Sequence, residues 1–392
     1  MKKAVPFILL LPLLLAACGT SSSVEPSVPA TQPVKDTPAP YPDDTPLPAK
    51  IDAPVVESPT LTAIQFVNSL DGWGVTETEI VRTNDGGITW YNVTPTDISE
   101  TGFAVDLFVL DNDHVWMQTP DFSNYPNSGL QYHTTDGGVN WNSVSVPFSR
   151  GDIKFLDQNN GWALADLGVG AGSNAVAVYQ TTDGGTTWNQ SFVNDPNNSN
   201  AGDSLPLGGL KFGITPLNIT SAWVYGTIYA PGTAYLYRTD DSGHLWKQAS
   251  VSLPEGADAA ELSIEQVKFV TPTDGFLVMR MTSDSVNLAV YVSNDGGNTW
   301  SLTPTLIPVG GPADFLSVEE AVIYNGSQFY VTRDAARTWS IIPPDVNFSD
   351  TFAVMDFVDP NTGWVITMDP TTGHRSLYRT GDGGAIWSPI VP

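Results

Sequence analysis

The sequence predicts an all-β chain: a seven-bladed β-propeller with four-stranded antiparallel blades, preceded by a signal peptide and a disordered tether. Three observations carry that prediction. An eight-residue motif recurs seven times at intervals near fifty residues. A looser motif of strand, polar turn and aromatic-led strand precedes six of the seven copies. No stretch after residue 60 has helical periodicity of useful length.

The octapeptide reads TNDGGITW (83–90), TTDGGVNW (134–141), TTDGGTTW (181–188), TDDSGHLW (239–246), SNDGGNTW (293–300), TRDAARTW (332–339) and TGDGGAIW (380–387). This is the Asp-box turn. Its aspartates, Asp85, Asp136, Asp183, Asp241, Asp295, Asp334 and Asp382, are spaced by 51, 47, 58, 54, 39 and 48 residues, room for four short strands and their turns. The aspartate accepts backbone N–H groups across a tight turn, and the paired glycines supply the positive φ that such a turn needs. The tryptophans, Trp90, Trp141, Trp188, Trp246, Trp300, Trp339 and Trp387, open the following strand and bury their rings between neighbouring sheets. These roles are structural and not catalytic.

The second motif runs IQFVNSLDGWGV (64–75), LFVLDNDHVWMQ (107–118), IKFLDQNNGWAL (153–164), LKFGITPLNITSAWVY (210–225), VKFVTPTDGFLV (267–278) and MDFVDPNTGWVI (355–366). Each copy predicts an inner strand ending in phenylalanine, a polar turn, and a second strand led by an aromatic. The sixth blade, DFLSVEEAVIYNGSQFYVT (314–332), lacks it, and its Asp-box has Ala335 and Ala336 in place of both glycines. The first and last blades each contain four strands in order, so closure by strand exchange is not evident, although residues 51–58 are free to add one more strand.

Ahead of this lies a different kind of sequence. Lys2 and Lys3, an apolar run over 4–15, and Ala16 and Ala17 read as a signal peptide over 1–17, too short to span a bilayer comfortably. Cys18, the single cysteine, completes LLLAAC, which resembles the bacterial lipobox and implies lipid attachment at that thiol. Acyl chains there anchor the chain to a membrane, on the cell surface or periplasmic side. Gly19 follows it, not the aspartate associated with inner-membrane retention. Residues 18–60 are rich in Pro, Ser, Thr and Ala, which leaves too little apolar surface to offset chain entropy, and are expected to form the tether. The propeller is then residues 61–392, expected as a monomer.

That region carries 36 acidic and 12 basic residues, a net charge of −24. Such a balance argues against nucleic acid, whose binding needs a basic footprint. In an up-and-down blade the turns after the first and third strands share one face, so both repeated motifs fall there. The variable loops gather on the opposite face, the expected seat of function. Asp121, Phe122, Tyr125, Asp195, Asp203, Tyr229, Glu255, Asp258 and Asp369 project from them. An acidic rim with a few aromatics suits a basic protein segment, a glycan or Ca²⁺, but no specific calcium motif is present: DQNNG (157–161) and DPNTG (359–363) lack the downstream bidentate glutamate of an EF-hand and read as turns. No cofactor is expected.

Asp-box propellers include sialidases, which need three arginines converging on a substrate carboxylate. Here Arg82, Arg238 and Arg379 directly precede Asp-boxes, away from the channel, and Arg150, Arg280, Arg333, Arg337 and Arg375 are scattered. His114, His133, His244 and His374 are read as lying in different blades without metal-ligand spacing, so no metal is assigned. A glycosidase of another type needs two carboxylates flanking one bond. An enzyme of that kind must place two carboxylates and an arginine or tyrosine in one concave pocket at the channel mouth.

The phenylalanine, polar turn and Gly-Trp followed by T-x-D-G-G-x-T-W, repeated over 61–392, resembles the photosystem II stability and assembly factor-like family, over about 85% of the chain. The resemblance implies a seven-bladed propeller and, as in the cyanobacterial members, a lipoprotein facing an extracytoplasmic compartment. Photosynthetic members carry a basic arginine patch, whereas this propeller is acidic. Two functions follow as expectations: a surface-tethered, non-enzymatic binding or assembly scaffold using the loop-rich face for a protein or glycan, and a carbohydrate-active enzyme.

Overall fold

A computed structural model describes residues 51–98, 106–121 and 123–391. Cys18, the signal peptide, the tether up to residue 50 and Phe122 lie outside the described residues.

The chain is a β-propeller of antiparallel meanders. The first sheet holds β1 (Val55–Val56), β2 (Ala63–Phe66), β3 (Gly72–Val75), β4 (Ile80–Thr83) and β5 (Trp90–Asn92), in the order β1-β5-β4-β3-β2. The next holds β6 (Asp106–Val109), β7 (Val115–Pro120), β8 (Gly129–Thr134) and β9 (Asn142–Val146). After it come β10 (Gly151–Phe155), β11 (Gly161–Gly170), β12 (Ser173–Thr181) and β13 (Asn189–Val193). One large sheet contains β14 (Leu210–Pro216), β15 (Ala222–Thr227), β16 (Tyr235–Thr239) and β17 (Lys247–Gln248), with β18 (Glu261–Phe269), β19 (Gly275–Thr282), β20 (Val286–Ser293) and β21 (Ser301–Pro308). The last two sheets are β22 (Ala313–Phe315), β23 (Glu320–Tyr324), β24 (Phe329–Arg333) and β25 (Ser340–Ile342), then β26 (Phe352–Phe357), β27 (Gly363–Met368), β28 (Arg375–Thr380) and β29 (Ser388–Ile390).

The expectation of seven separate blades is corrected by this pairing. Five blades stand as separate sheets among the described residues, and the remaining sheet has eight strands. Its two halves join where Thr227, at the end of β15, pairs with Ser263 of the nine-residue β18. β18 stays paired with β19 from Glu261, opposite Thr282, to Phe269, and at Ser263 its other side meets the end of β15. Strand β1 adds to the outer edge of the first blade, Val56 opposite Trp90, so the folded sheet extends into the stretch that composition assigned to the tether.

The second motif also needs one correction. Pro216, not Phe212, takes the strand-ending position in β14: Pro216 pairs with Ala222 as Phe155 pairs with Gly161. Phe212 sits in a bulge between Lys211 and Gly213 and is 46% exposed.

The core lies between sheets rather than within one. Trp116, Phe155 and Trp188 fill one seam, Trp162, Ile214 and Trp246 the next, and Trp223, Ile264 and Trp300 a third. The first and last blades meet in the same way. Phe66 stacks on Trp364 at 3.6 Å, the Trp364 indole donates to Gly86 O at 2.9 Å, and Arg379 donates to Ser69 O at 3.2 Å. The ring closes by packing, and among the described residues no strand is exchanged between its ends.

Inner strands are clasped in one direction around the ring. Gln65 donates to Val109 O, Thr215 donates to Val267 O, and the carboxylates of Asp152, Asp314 and Asp356 accept the backbone N–H groups of Ile214, Phe357 and Phe66. On the Asp-box face, third-strand side chains lie over the aromatic of the second strand and reach the next sheet. Arg82, Arg238 and Arg379 sit 5.7, 4.7 and 5.4 Å from the rings of Trp73, Trp223 and Trp364. His133 stacks on Trp116 at 4.2 Å, and Gln180, opposite Trp162, donates to Ile219 O.

Each Asp-box is built around the hydroxyl that opens it. In the second copy Thr134 donates to Asp136 at 2.9 Å and accepts the N–H of Gly138, while Asp136 accepts the N–H of Asn140. Asp295 and Asp334 make the same turn, and their carboxyls are held below the usual range by hydrogen bonds from the amide and hydroxyl of Thr299 and from the hydroxyl and amide of Thr338. These bonds close a tight turn around the carboxylate and the opening hydroxyl. The opening threonine or serine hydroxyl is central to the turn, a part that the sequence motif alone does not assign.

Candidate functional site

A cleft of about 730 Å³ opens on the face opposite the Asp-boxes. Its floor is made by residues of three inner strands, Asp106 of β6, Asp152 and Lys154 of β10, and Lys211 and Phe212 of β14. Arg150 stands directly ahead of β10, and Asp166 and Val169 reach over from the β11–β12 hairpin. That hairpin is long, with strands of ten and nine residues, because a bulge between Asp166 and Gly168 lets the pairing continue to Gly170 and Ser173. Its tip is tied to the next sheet: Ser173 bridges to Gly209, and Asn174 accepts the Lys211 N–H at 2.9 Å.

The charges in the cleft divide into committed and open groups. Asp152 takes Lys154 Nζ at 2.6 Å with one oxygen and the Ile214 N–H at 2.9 Å with the other. Burial works against the Lys154 ammonium, but Asp152 outweighs it and holds its pKa above the ordinary lysine value. Lys211 donates to three carbonyls, Leu207 at 2.6 Å, Asn174 at 2.9 Å and Gly209 at 3.1 Å, and burial pushes it down to about 8. Those bonds pin the 193–209 connection and leave that ammonium no free direction. Tyr225 is pushed up to about 12, first by burial and then by Asp152.

Arg150 and Asp106 are the open groups, while Asp166 accepts the Gly168 N–H at 3.0 Å with one oxygen. Among the described residues Arg150 makes no ion pair and is exposed. Burial raises Asp106 above the usual carboxylate range while the charge of Arg150 opposes it. Tyr125 stands beside Asp166, and its hydroxyl is raised by burial and then by that carboxylate.

The expected binding residues are distributed unevenly around this cleft. Tyr125 reaches its edge, and Tyr229, 62% exposed, lies against the hairpin at Gly172. Asp121, Asp195 and Asp369 instead cap their own turns, accepting the N–H groups of Ser123, Asn197 and Thr371. The carboxylate of Asp369 is thereby held below its ordinary range by the N–H groups of Thr372 and Thr371. Asp203, Glu255 and Asp258 are exposed on the same set of connections and are not brought to the cleft. Phe122 lies outside the described residues.

Sequence reasoning missed Asp106, Asp152, Lys154, Lys211 and Phe212. The available signal was charge inside a strand otherwise built of apolar residues, as in GDIKF and LKF, which a propeller explains by exposing the inner strand to the channel. One histidine expectation is also corrected: His114 and His133 share the sheet β6–β9, with ring centroids 6.5 Å apart. Among the described residues no group of three or more His, Cys, Asp or Glu side chains is placed to hold a metal ion. The compositional requirement for an enzyme is met, since the cleft gathers Asp106, Asp166, Arg150 and Tyr225. Arg82, Arg238 and Arg379 are tied up between sheets and do not converge on it.

A family model described as photosynthesis system II assembly factor YCF48 matches residues 49–203. A xyloglucanase of Hypocrea jecorina (strain QM6a) is 24% identical over 355 residues, 79% of this chain but 36% of that enzyme, so this chain spans about a third of its length. Among solved structures, YCF48 bound to D1 peptide is similar with a TM-score of 0.52 at 16% identity, covering 85% of this chain and 96% of that one. An ulvan lyase of a polysaccharide lyase family gives 0.51 at 11% identity, covering 86% and 98%. These structural likenesses establish the propeller fold.

Proposed function

We propose that this chain is a non-enzymatic binding scaffold that holds a polypeptide segment in the cleft over β6, β10 and β14. The observation that carries the reading is the cleft itself. It lies on the loop-rich face, its charged floor is largely locked by internal pairs, and Phe212 on the floor with Tyr125, Tyr229 and Arg150 around it are left for a partner. Exposed aromatics beside one free guanidinium are the side chains that most often anchor protein contacts. The family model over 49–203 and the likeness to YCF48 bound to D1 peptide support a protein partner. In the same reading the eight-stranded sheet counts as two blades, giving seven. Cys18 carries the lipid that tethers the propeller outside the cytoplasm, with residues 19–50 as spacer.

A second reading, a glycosidase, has one observation in its favour: Asp106 and Asp166 in one cleft, in a chain similar over most of its length to a xyloglucanase. One experiment separates the two. Fluorescence anisotropy with labelled D1-derived peptides and a random peptide library, using the full chain in detergent, should find saturable binding that Arg150→Glu and Phe212→Ala weaken. Release of reducing ends from xyloglucan, lost in Asp166→Asn, would replace the scaffold with the enzyme.

A further inference from the structure

The seam between β18–β21 and β22–β25 departs on the Asp-box face from the seams filled by arginine, histidine or glutamine over tryptophan. Wherever Arg82, Arg238 or Arg379 stands on a third strand, it pairs across to a tryptophan on the second, Trp73, Trp223 or Trp364. His133 and Gln180 occupy the same register opposite Trp116 and Trp162. At this seam the pair is Val292 opposite Phe276, a shorter side chain against a smaller ring; the following sheet pairs Val331 with Val322, but there Arg333 reaches across to Pro360 O. The volume left over is a cavity of about 260 Å³ lined by Phe276, Val292, Glu319, Ala335, Asp274 and Arg337, among others.

We propose that this cavity is a binding site for the guanidinium group of an arginine presented by a partner protein. Its walls repeat what the chain gives its own Arg82. That guanidinium lies over the Trp73 ring at 5.7 Å, donates to Gly137 O at 3.2 Å, and sits 3.9 Å from the Asp113 carboxylate. The corresponding groups here are the Phe276 ring, the Ala335 carbonyl and the Glu319 carboxylate. The backbone fixes the correspondence: Gly137 N donates to Asp113 O at 3.1 Å, and Ala335 N donates to Glu319 O at 2.9 Å. Glu319 is exposed and Ala335 half-buried, and both line the cavity. Asp334 also lines the cavity, but its carboxylate is used by Thr332 and Thr338 and is not a recognition group. A planar cation fits this arrangement better than an ammonium, because it can lie on the ring while pointing N–H groups at carbonyl and carboxylate together. Phenylalanine is a weaker cation–π platform than tryptophan, so Glu319 carries more of the recognition here than Asp113 does at Arg82.

The test titrates ethylguanidinium into the full chain in detergent and follows the amides of Glu319, Ala335 and Ala336 by NMR. Saturable shifts at those three amides are expected, with ethylammonium at least ~10-fold weaker, as losing the fork of charged hydrogen bonds implies. Val292→Arg supplies the missing arm from the chain itself, so it should abolish the shifts while leaving the melting temperature unchanged or raised. Glu319→Gln should weaken binding ~10-fold, the loss of one charged partner. Arg337→Gln removes a competing cation from the rim and should leave binding equal or tighter. No saturable shift, equal response to ethylammonium, undiminished binding by a folded Val292→Arg variant, or loss of binding in Arg337→Gln would each overturn the proposal.

Discussion

The second glycine of each Asp-box backs onto a side chain of the preceding sheet. A methyl group added at Gly297 would fall 2.5 Å from Trp223, at Gly243 3.1 Å from Trp162, and at Gly384 2.9 Å from Phe329. Ala336 holds that position in the sixth box, and its buried methyl packs in the same cluster as Phe276. The smaller ring and the added methyl are therefore two halves of one change. Phe276→Trp is expected to destabilise by ~1–3 kcal/mol through overpacking, and Ala336→Gly in the same chain to recover part of it; additive denaturation midpoints would contradict the coupling. Ala335, at φ 59°, carries the strain of the left-handed region without that packing reward. Replacing it by glycine should stabilise by roughly 0.5–1 kcal/mol, read from a urea midpoint with unchanged slope. Both alanines stand out in the string TRDAARTW, but the ring that tolerates them lies 60 residues earlier and is visible only once the sheets are adjacent.

Among elements, the inner strands show most clearly what the sequence withholds. Asp314 and Asp356 occupy the position just before the strand-ending phenylalanine, where alternation alone gives no reason for an acid. In the ring each clasps the next inner strand through Phe357 or Phe66. Burial pushes Asp314 up to about 6, against the pull of Lys268. Burial and the nearby Asp314 push Asp356 up to about 8. Both pKa values lie above the ordinary value of 3.8, so the fold favours the protonated forms. Their stabilisation is complete below about pH 4 and is lost as pH rises through about 6 and then about 8. Asp356→Asn keeps an acceptor for the Phe66 N–H and removes the titration. Its melting temperature should gain on wild type between pH 5 and 9, and a constant difference across that range would contradict the assignment. Asp295 and Asp334 of the Asp-boxes act in the opposite window. Their lowered pKa values stabilise at neutral pH and give that up only as pH falls through the folded-state values.

For the whole molecule, the repeat made the propeller legible, because seven copies of one turn at near-constant spacing admit few other folds. Sheet boundaries were less legible. The joining of two meanders depends on where the start of β18 lies against the end of β15, and that is set by packing of Ala257, Ala260, Leu262 and Ile264 in the shared core, not by any local signal. Ring closure rests on Phe66, Trp364 and Gly86, whose contacts span 278 or more residues. Trp364→Ala should cost ~3–5 kcal/mol, as for other buried large-to-small changes, and a smaller loss would place the closure elsewhere. The site was half legible: the loop-rich face follows from topology, but several of the acids chosen there serve their own turns, and the cleft draws its charge from inner strands. The account stands most directly on peptide-binding anisotropy of the full chain with Phe212→Ala and Arg150→Glu, set beside Ile88→Ala on the Asp-box face. It predicts a loss of ~10-fold or more for the first two and none for the third, the size typical of anchor residues. Undiminished binding in both cleft variants, or a loss confined to Ile88→Ala, would contradict it.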